Sequence, residues 1–202
     1  SMVTLLAVLG GITTAVAGPT PDPVKCQAVI AKQSAKYMQK RSKILAQCED
    51  KAARGDNAIP VGGCANDEKT QKRLARTDER LDKSISRWCG GEDWTCGTGD
   101  DLPLSDIGWD IPACPGIDSG NCSNSISHCG DMIECLTCMH ASAIDQAVTL
   151  HYRDLDSSFF AEPRSKINKC QRAIGKETQR YIRTQATALE RCWRLVNSGA
   201  IE

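Results

Sequence analysis

Cys135 and Cys138 form a C-x-x-C motif, the feature of this chain that points most directly to chemistry. Two thiols at this spacing can serve as a redox pair, as half of a zinc site or as an anchor for haem. Haem attachment requires a histidine directly after the second cysteine, and here Met139 precedes His140. A thioredoxin-like role requires a βαβ setting, and no segment has the alternating pattern of an amphipathic strand. The sequence therefore disfavours both of these uses.

A tetrahedral zinc site would need two more ligands, which Cys129 and either His128 or His140 could supply. His140 and His151 are 11 residues apart, about 16 Å along a helix, so they cannot share a metal. The chain also lacks the H-E-x-x-H and E-x-x-H patterns of zinc proteases and di-iron bundles. We expect the histidines to face solvent or cap helices. We interpret the C-x-x-C as structural, with metal binding or thiol redox chemistry as the alternative.

Four aspartates lie in a loop rich in glycine and could offer calcium its preferred oxygen ligands: Asp100, Asp101, Asp106 and Asp110. Their spacing does not match the EF-hand pattern, and acidic loops are usually soluble turns. Asp100, Asp101 and Asp106 are therefore weak metal candidates. The sequence contains no nucleophile elbow, phosphate-binding loop or carboxylate pair of recognisable spacing, so we predict no enzyme and no cofactor.

The N-terminal residues predict export. Residues 2–17 form an uncharged, apolar run that ends in Ala15-Val16-Ala17, as in a secretory signal peptide. No basic segment precedes the run and Ser1 stands before Met2, so we expect a truncated signal peptide over residues 1–17. A proline-rich linker follows over residues 18–23. The run is shorter than a spanning helix, and we predict no membrane association beyond the export signal.

Composition agrees with a secreted, periplasmic or extracellular protein. Twelve cysteines among 202 residues are an even number, and export would place them in an oxidising compartment, so six disulfides are the default expectation. The 25 basic and 25 acidic residues balance, which does not favour nucleic acid as a partner. We expect an unknown protein or surface partner.

An internal repeat indicates how the chain is built. The segment from Lys25 to Cys48 recurs from Lys169 to Cys192 at a constant offset of 144 residues, with the cysteines 22 residues apart in both copies. The matching positions are Lys25, Cys26, Gln27, Ile30, Lys32, Tyr37, Leu45 and Cys48, which correspond to Lys169, Cys170, Gln171, Ile174, Lys176, Tyr181, Leu189 and Cys192. A repeat of this kind predicts a helical unit used twice.

Apolar periodicity predicts four helices: residues 24–53, a second helix from Asn66 or Asp67 to Cys89, a third over residues 125–155, and a fourth from Pro163 or Arg164 to Asn197. Residues 24–92 form a helical hairpin unit, and residues 93–124 form a loop held by disulfides. Residues 125–202 contain the second copy, which we expect to be incomplete and part of a longer reading frame. The predicted fold is mainly α, a bundle of disulfide-stapled antiparallel helical hairpins with a long cysteine-containing loop.

Cysteine spacing limits the disulfides. Cys26 and Cys48 share a helix face but lie about 33 Å apart, so they cannot bond each other. A hairpin with the second helix would join Cys48 to Cys64 and Cys26 to Cys89. A pairing across the repeats would instead join Cys26 to Cys192 and Cys48 to Cys170. We favour the hairpin because its four cysteines then lie within one unit, and we expect six more in disulfides without assigned partners: Cys96, Cys114, Cys122, Cys129, Cys135 and Cys138.

The Lys-Cys-Gln helix, the charged second helix ending in Cys89-Gly90-Gly91 and the loop over residues 95–109 resemble a group of uncharacterised secreted, cysteine-rich helical repeat proteins of bacteria. The likeness covers most of the chain after the signal peptide. That group has no established activity, so the resemblance implies export, bacterial origin and repetition. Together these features predict an exported structural or binding module.

Overall fold

The computed structural model describes residues 22–54, 59, 63–116, 122–152 and 166–201. Four helices span Pro23–Ala52 (α1), Glu68–Cys89 (α2), Cys129–Tyr152 (α3) and Lys166–Asn197 (α4), and a short 3-10 turn covers Gly63–Ala65. The predicted mainly helical, disulfide-stapled fold is confirmed. The predicted signal peptide and most of the linker lie outside the described residues. None of the helices described is apolar enough over sufficient length to span a bilayer.

Local sequence explains where α1 and α2 begin and end. The Asp22 carboxylate accepts a hydrogen bond from the Lys25 amide at 3.1 Å, and Pro23 occupies the first turn, where its missing N–H costs nothing. Asp67 caps α2 in the same way, accepting from the Thr70 amide at 2.9 Å. α2 ends before Gly90, where a Cβ would lie 2.7 Å from backbone of the following loop.

Two disulfides close the hairpin of α1 and α2 at opposite ends: Cys26 bonds Cys89 at the end of α2, and Cys48 bonds Cys64 in the 3-10 turn that precedes α2. This is the hairpin pairing and not the pairing across the repeats. Of the twelve cysteines, ten are bonded, and Cys170 and Cys192 are free and exposed. The default of six disulfides is therefore wrong: there are five, because the two remaining cysteines lie about 33 Å apart on one helix.

The predicted start of α3 is wrong by four residues. Ser125 instead forms an isolated antiparallel bridge with Ala113, and the Cys114 amide donates to the Asn124 carbonyl at 2.9 Å. The Asp131 carboxylate then accepts hydrogen bonds from the amide and hydroxyl of Ser127, which stabilises the helix start at Cys129. The last three residues of the predicted third helix fall outside the described part of the chain.

Three disulfides tie the loop after α2 to α3: Cys96 to Cys129, Cys114 to Cys135 and Cys122 to Cys138. They lie in a core formed by α1, α2, the loop and α3, to which Leu81, Ile85, Leu102, Ile107 and Met132 contribute buried side chains. The loop has little regular structure of its own, so the bridges hold it in place.

α4 packs antiparallel against α1 and contacts the end of α3. The Gln39 amide lies 3.5 Å from the Thr187 hydroxyl, while Asn197 lies beside Gln27 near the start of α1. At the other end, the backbone of Gly175 approaches Tyr152 so closely that a Cβ would lie 2.6 Å from the tyrosine hydroxyl. The second copy of the repeat is thus placed on the first and faces outward on its other side.

Candidate functional site

The C-x-x-C motif has no free thiol. Cys135 bonds Cys114 and Cys138 bonds Cys122, so the two cysteines of the motif staple two different points of the loop onto one face of α3. A redox pair requires the two sulfurs to bond each other, and a zinc site requires thiolates. With both sulfurs in disulfides to the loop, neither is available for these uses in this disulfide-bonded form.

Cys96, Cys129 and Asp101 form the one cluster among the described residues in which three metal-ligating groups converge, with ligand atoms within 4.8 Å of each other. The two sulfurs are bonded to each other. One Asp101 oxygen accepts from the Gly97 amide at 2.9 Å and from the Cys129 amide at 3.3 Å. The other oxygen is buried without a partner in the described structure. The cluster therefore offers a single free ligand atom and organises the loop.

The three weak calcium candidates do not converge. Asp100 accepts from the Glu92 amide at 2.8 Å and from the Thr98 hydroxyl at 2.7 Å, and these bonds hold the pKa of Asp100 below its ordinary value. Asp106 accepts from the neighbouring Ser105 hydroxyl at 3.2 Å. The carboxylates of Asp100 and Asp101 thus organise turns of the loop.

The histidines take three different places. His128 accepts from the Gly130 amide at 3.1 Å at the start of α3, which fits the expected capping role. His151 lies between α3 and α4, with Nε2 2.6 Å from the Thr178 hydroxyl. His140 contradicts the expectation of solvent-facing or capping histidines: its Nε2 is buried without a partner in the described structure, its ring lies 6.2 Å from that of Tyr37, and burial lowers its pKa to about 4.

Ser127, His128 and Asp131 are the residue types of a hydrolytic triad, but their geometry is that of a helix cap. The Ser127 hydroxyl donates to Asp131 at 2.7 Å, and His128 Nε2 lies 3.5 Å from the same carboxylate. In a triad the histidine would stand between the serine and the carboxylate. Here the carboxylate is the shared acceptor, so the serine has no general base.

A polar cluster that the periodicity did not indicate joins three helices. Arg41 donates two hydrogen bonds to Asp145, at 2.9 and 2.7 Å, and lies 3.9 Å from Asp78. The Tyr37 hydroxyl donates to the same Asp78 at 2.8 Å. The Arg41 side chain is only 12% exposed. Its sequence signal was a single basic residue on the apolar side of a helix otherwise lined by exposed lysines.

A cleft of about 370 Å³ lies between α1, α2 and α4. Its walls carry five basic side chains and no carboxylate: Lys36, Lys40, Lys43, Arg80 and Arg183. All five are exposed, so their charges are hydrated, and the buried hydroxyls of Tyr37 and Thr77 in the wall donate to Asp78 and to the Arg73 carbonyl. It is a basic surface concavity and not a formed anion site.

The most distinctive surface is on α4. Cys170, Ile174, Tyr181, Ala188 and Cys192 lie along one exposed line of this helix, which we call the α4 stripe. Ile174 is 45% and Tyr181 65% exposed. The corresponding residues of α1, which include Tyr37, are all at most 8% exposed, because they are covered by α2 and the core.

Comparison of the chain with protein-family models, with curated proteins and with solved structures finds no match. Any inference about function therefore depends on the geometry of the described residues. Within the described residues it brings together structural bridges, helix caps and one unpartnered helix surface.

Proposed function

We propose that this chain is an exported structural or binding module, built as a rigid scaffold that presents helix surfaces. The observation that carries the proposal is the use of the cysteines: each of the five disulfides joins two different elements, and both cysteines of the C-x-x-C are among them. Five disulfides fit an oxidising environment. The likeness to secreted bacterial repeat proteins belongs to this proposal.

The side chains that suggested chemistry support the same proposal. Asp100 and Asp101 bind loop amides, Asp131 caps α3, and His140 is packed between helices. In a scaffold such groups hold loops and helix ends in place, as Asp100, Asp101 and Asp131 do, whereas a catalyst needs at least one of them accessible and activated.

The alternative is a metal-binding or thiol redox protein that uses Cys135 and Cys138. Two measurements on the unreduced protein separate these proposals. One is mass spectrometry after thiol trapping with an alkylating reagent, and the other is metal analysis. The scaffold predicts that Cys135 and Cys138 are protected and that only Cys170 and Cys192 are alkylated. Alkylation of Cys135 and Cys138 would refute the scaffold. Stoichiometric zinc whose removal makes these two cysteines available for alkylation would also refute it.

The same protein gives a thermal test. A chelator should leave the melting temperature unchanged, since in this proposal disulfides and not metal ions join the elements. A reductant should lower it strongly, because each bridge contributes roughly 2–4 kcal/mol to a typical stability of 5–15 kcal/mol. The reverse pattern would contradict the proposal.

A further inference from the structure

The α4 stripe repeats a surface whose partner is visible elsewhere in the same molecule. On α1 the corresponding line of residues is covered by α2, with a disulfide at each end. The Tyr37 hydroxyl in the middle of that line donates to Asp78 of α2 at 2.8 Å. On α4 the same kinds of side chain are present at the same spacing, but the two thiols are free and the tyrosine is exposed.

We propose that the α4 stripe binds an amphipathic helix of the α2 type, which forms disulfides with Cys170 and Cys192 and places a carboxylate beside Tyr181. This inference rests on the proposed function and names the partner class of the binding module. The helix carries two cysteines about 25 residues apart, the separation of Cys64 and Cys89. It runs antiparallel to α4, so that its first cysteine meets Cys192 and its second meets Cys170.

Four of the five stripe residues are identical to those of α1, and these are the ones that define the register. Cys170 and Cys192 fix the two ends, Tyr181 fixes the level of the carboxylate, and Ile174 provides an apolar contact one turn from the first cysteine. The fifth position differs: Ile44, which is 1% exposed on α1, corresponds to Ala188 on α4. The partner surface is therefore expected to be bulkier there than α2, or to bind less tightly.

A second copy of α4 is a poorer occupant than an α2-type helix. Two antiparallel α4 helices could also form two disulfides, Cys170 to Cys192 in both directions. That pairing would place Tyr181 opposite Tyr181 at the two-fold axis, where neither hydroxyl meets a carboxylate.

The covalent step is ordinary thiol oxidation. Each new disulfide forms from one thiol of α4 and one thiol of the partner, which together lose two protons and two electrons. A small disulfide such as oxidised glutathione accepts them and leaves as two thiols. The attack passes through a mixed disulfide at Cys170 or Cys192, and the second bond then forms within the complex, where the effective concentration of the thiol is high.

The test uses the full chain and a synthetic peptide of residues 63–90, which supplies the α2 sequence with both cysteines. The two are mixed in a glutathione redox buffer, quenched with an alkylating reagent and mapped without reduction. We expect a one-to-one adduct with Cys170 joined to peptide Cys89 and Cys192 joined to peptide Cys64. The Cys170→Ala/Cys192→Ala protein is the matched control and should give no adduct, which shows that the peptide does not displace native bridges.

Variants separate helix docking from unselective thiol capture. Tyr181→Asp should reduce adduct formation at least about tenfold, because a charge replaces an apolar contact in the middle of the interface. Ala173→Asp, on an exposed position beside the stripe, should leave it unchanged. Ala188→Ile restores the residue that α1 carries and should increase adduct formation about tenfold, as expected for burying the added carbons.

Three results would overturn the inference: a disulfide-linked homodimer through Cys170 and Cys192 in preference to the peptide adduct, an adduct in the opposite register, or equal capture by the Tyr181→Asp protein. Failure here is distinguishable from failure of the scaffold proposal, because the same unreduced map reports whether Cys135 and Cys138 remain bonded to the loop. If those bridges are intact and the peptide is not captured, the scaffold stands and the α2-type partner is refuted.

Discussion

Removal of the disulfide between Cys26 and Cys89 should cost this protein about 4 kcal/mol of its free energy of unfolding. The bridge closes a sequence separation of 63 residues, compared with 16 for the bridge between Cys48 and Cys64. The loop-entropy relation gives about 4 kcal/mol for the longer closure and about 3 kcal/mol for the shorter. Both sulfurs of the longer bridge are fully buried, so lost packing adds to its cost.

The variant is Cys26→Ala/Cys89→Ala, which introduces no thiol. Urea unfolding at 25 °C under non-reducing conditions, followed by circular dichroism, gives the free energy of unfolding and its dependence on urea. The slope should rise as well, because an unfolded chain with one cross-link fewer exposes more surface. Unreduced peptide mapping first verifies that the other four bridges are unchanged.

The repeat supplies a control, since Cys170→Ala/Cys192→Ala changes the counterparts of Cys26 and Cys48 in the second copy, where both thiols are free. This pair should change the free energy of unfolding by less than about 0.5 kcal/mol. The reasoning would be refuted if the two double variants lost equal stability, or if the loss of the longer bridge cost less than about 1 kcal/mol.

Two further predictions concern the polar contacts between helices. Asp145→Asn should lower the free energy of unfolding by about 1–2 kcal/mol in urea titrations, because Arg41 loses its charged acceptor while remaining largely buried. The control Lys83→Gln breaks an exposed ion pair and should cost less than about 0.5 kcal/mol. Equal losses for the two variants would contradict this prediction. Burial lowers the pKa of His140 from 6.5 to about 4, so the unfolded state binds the extra proton between these values, and stability should fall as the pH falls through this window. His140→Leu should flatten that part of the pH profile, and identical profiles for the two proteins would show that the histidine is not buried in its neutral form.

The sequence predicted the elements well where the signal is local. Asp22 and Asp67 are residue types that cap helices, and the predicted starts of α1 and α2, residue 24 and Asn66 or Asp67, lie within two residues of the observed Pro23 and Glu68. The start of α3 was misplaced because Ile126 continues the helical spacing of apolar residues, while the competing contact, the bridge to Ala113, comes from the far side of a loop. Periodicity contains no information about such a contact.

The candidate site also combines features that the sequence indicates with features that only the fold decides. From the sequence alone, the C-x-x-C could be weighed against its disulfide alternatives, but the partners Cys114 and Cys122 depend on how an irregular loop crosses α3. The position of Arg41 on the apolar side of α1 can be read from the sequence, but only the meeting of three helices buries it beside Asp145. Burial of His140 has the same origin, since it arises where α1 crosses α3.

The two copies of the repeat have similar sequences but different surroundings. By itself the sequence determined that the two segments have the same helical pattern, a matching tyrosine and the same cysteine spacing. Matching residues at a fixed offset can be identified without knowledge of the fold. Only the tertiary structure decided that one copy is covered and the other is not, since burial depends on which neighbour reaches each surface. α2 packs on α1 with a disulfide at each end of the hairpin, while the corresponding surface of α4 is left exposed with its two thiols free.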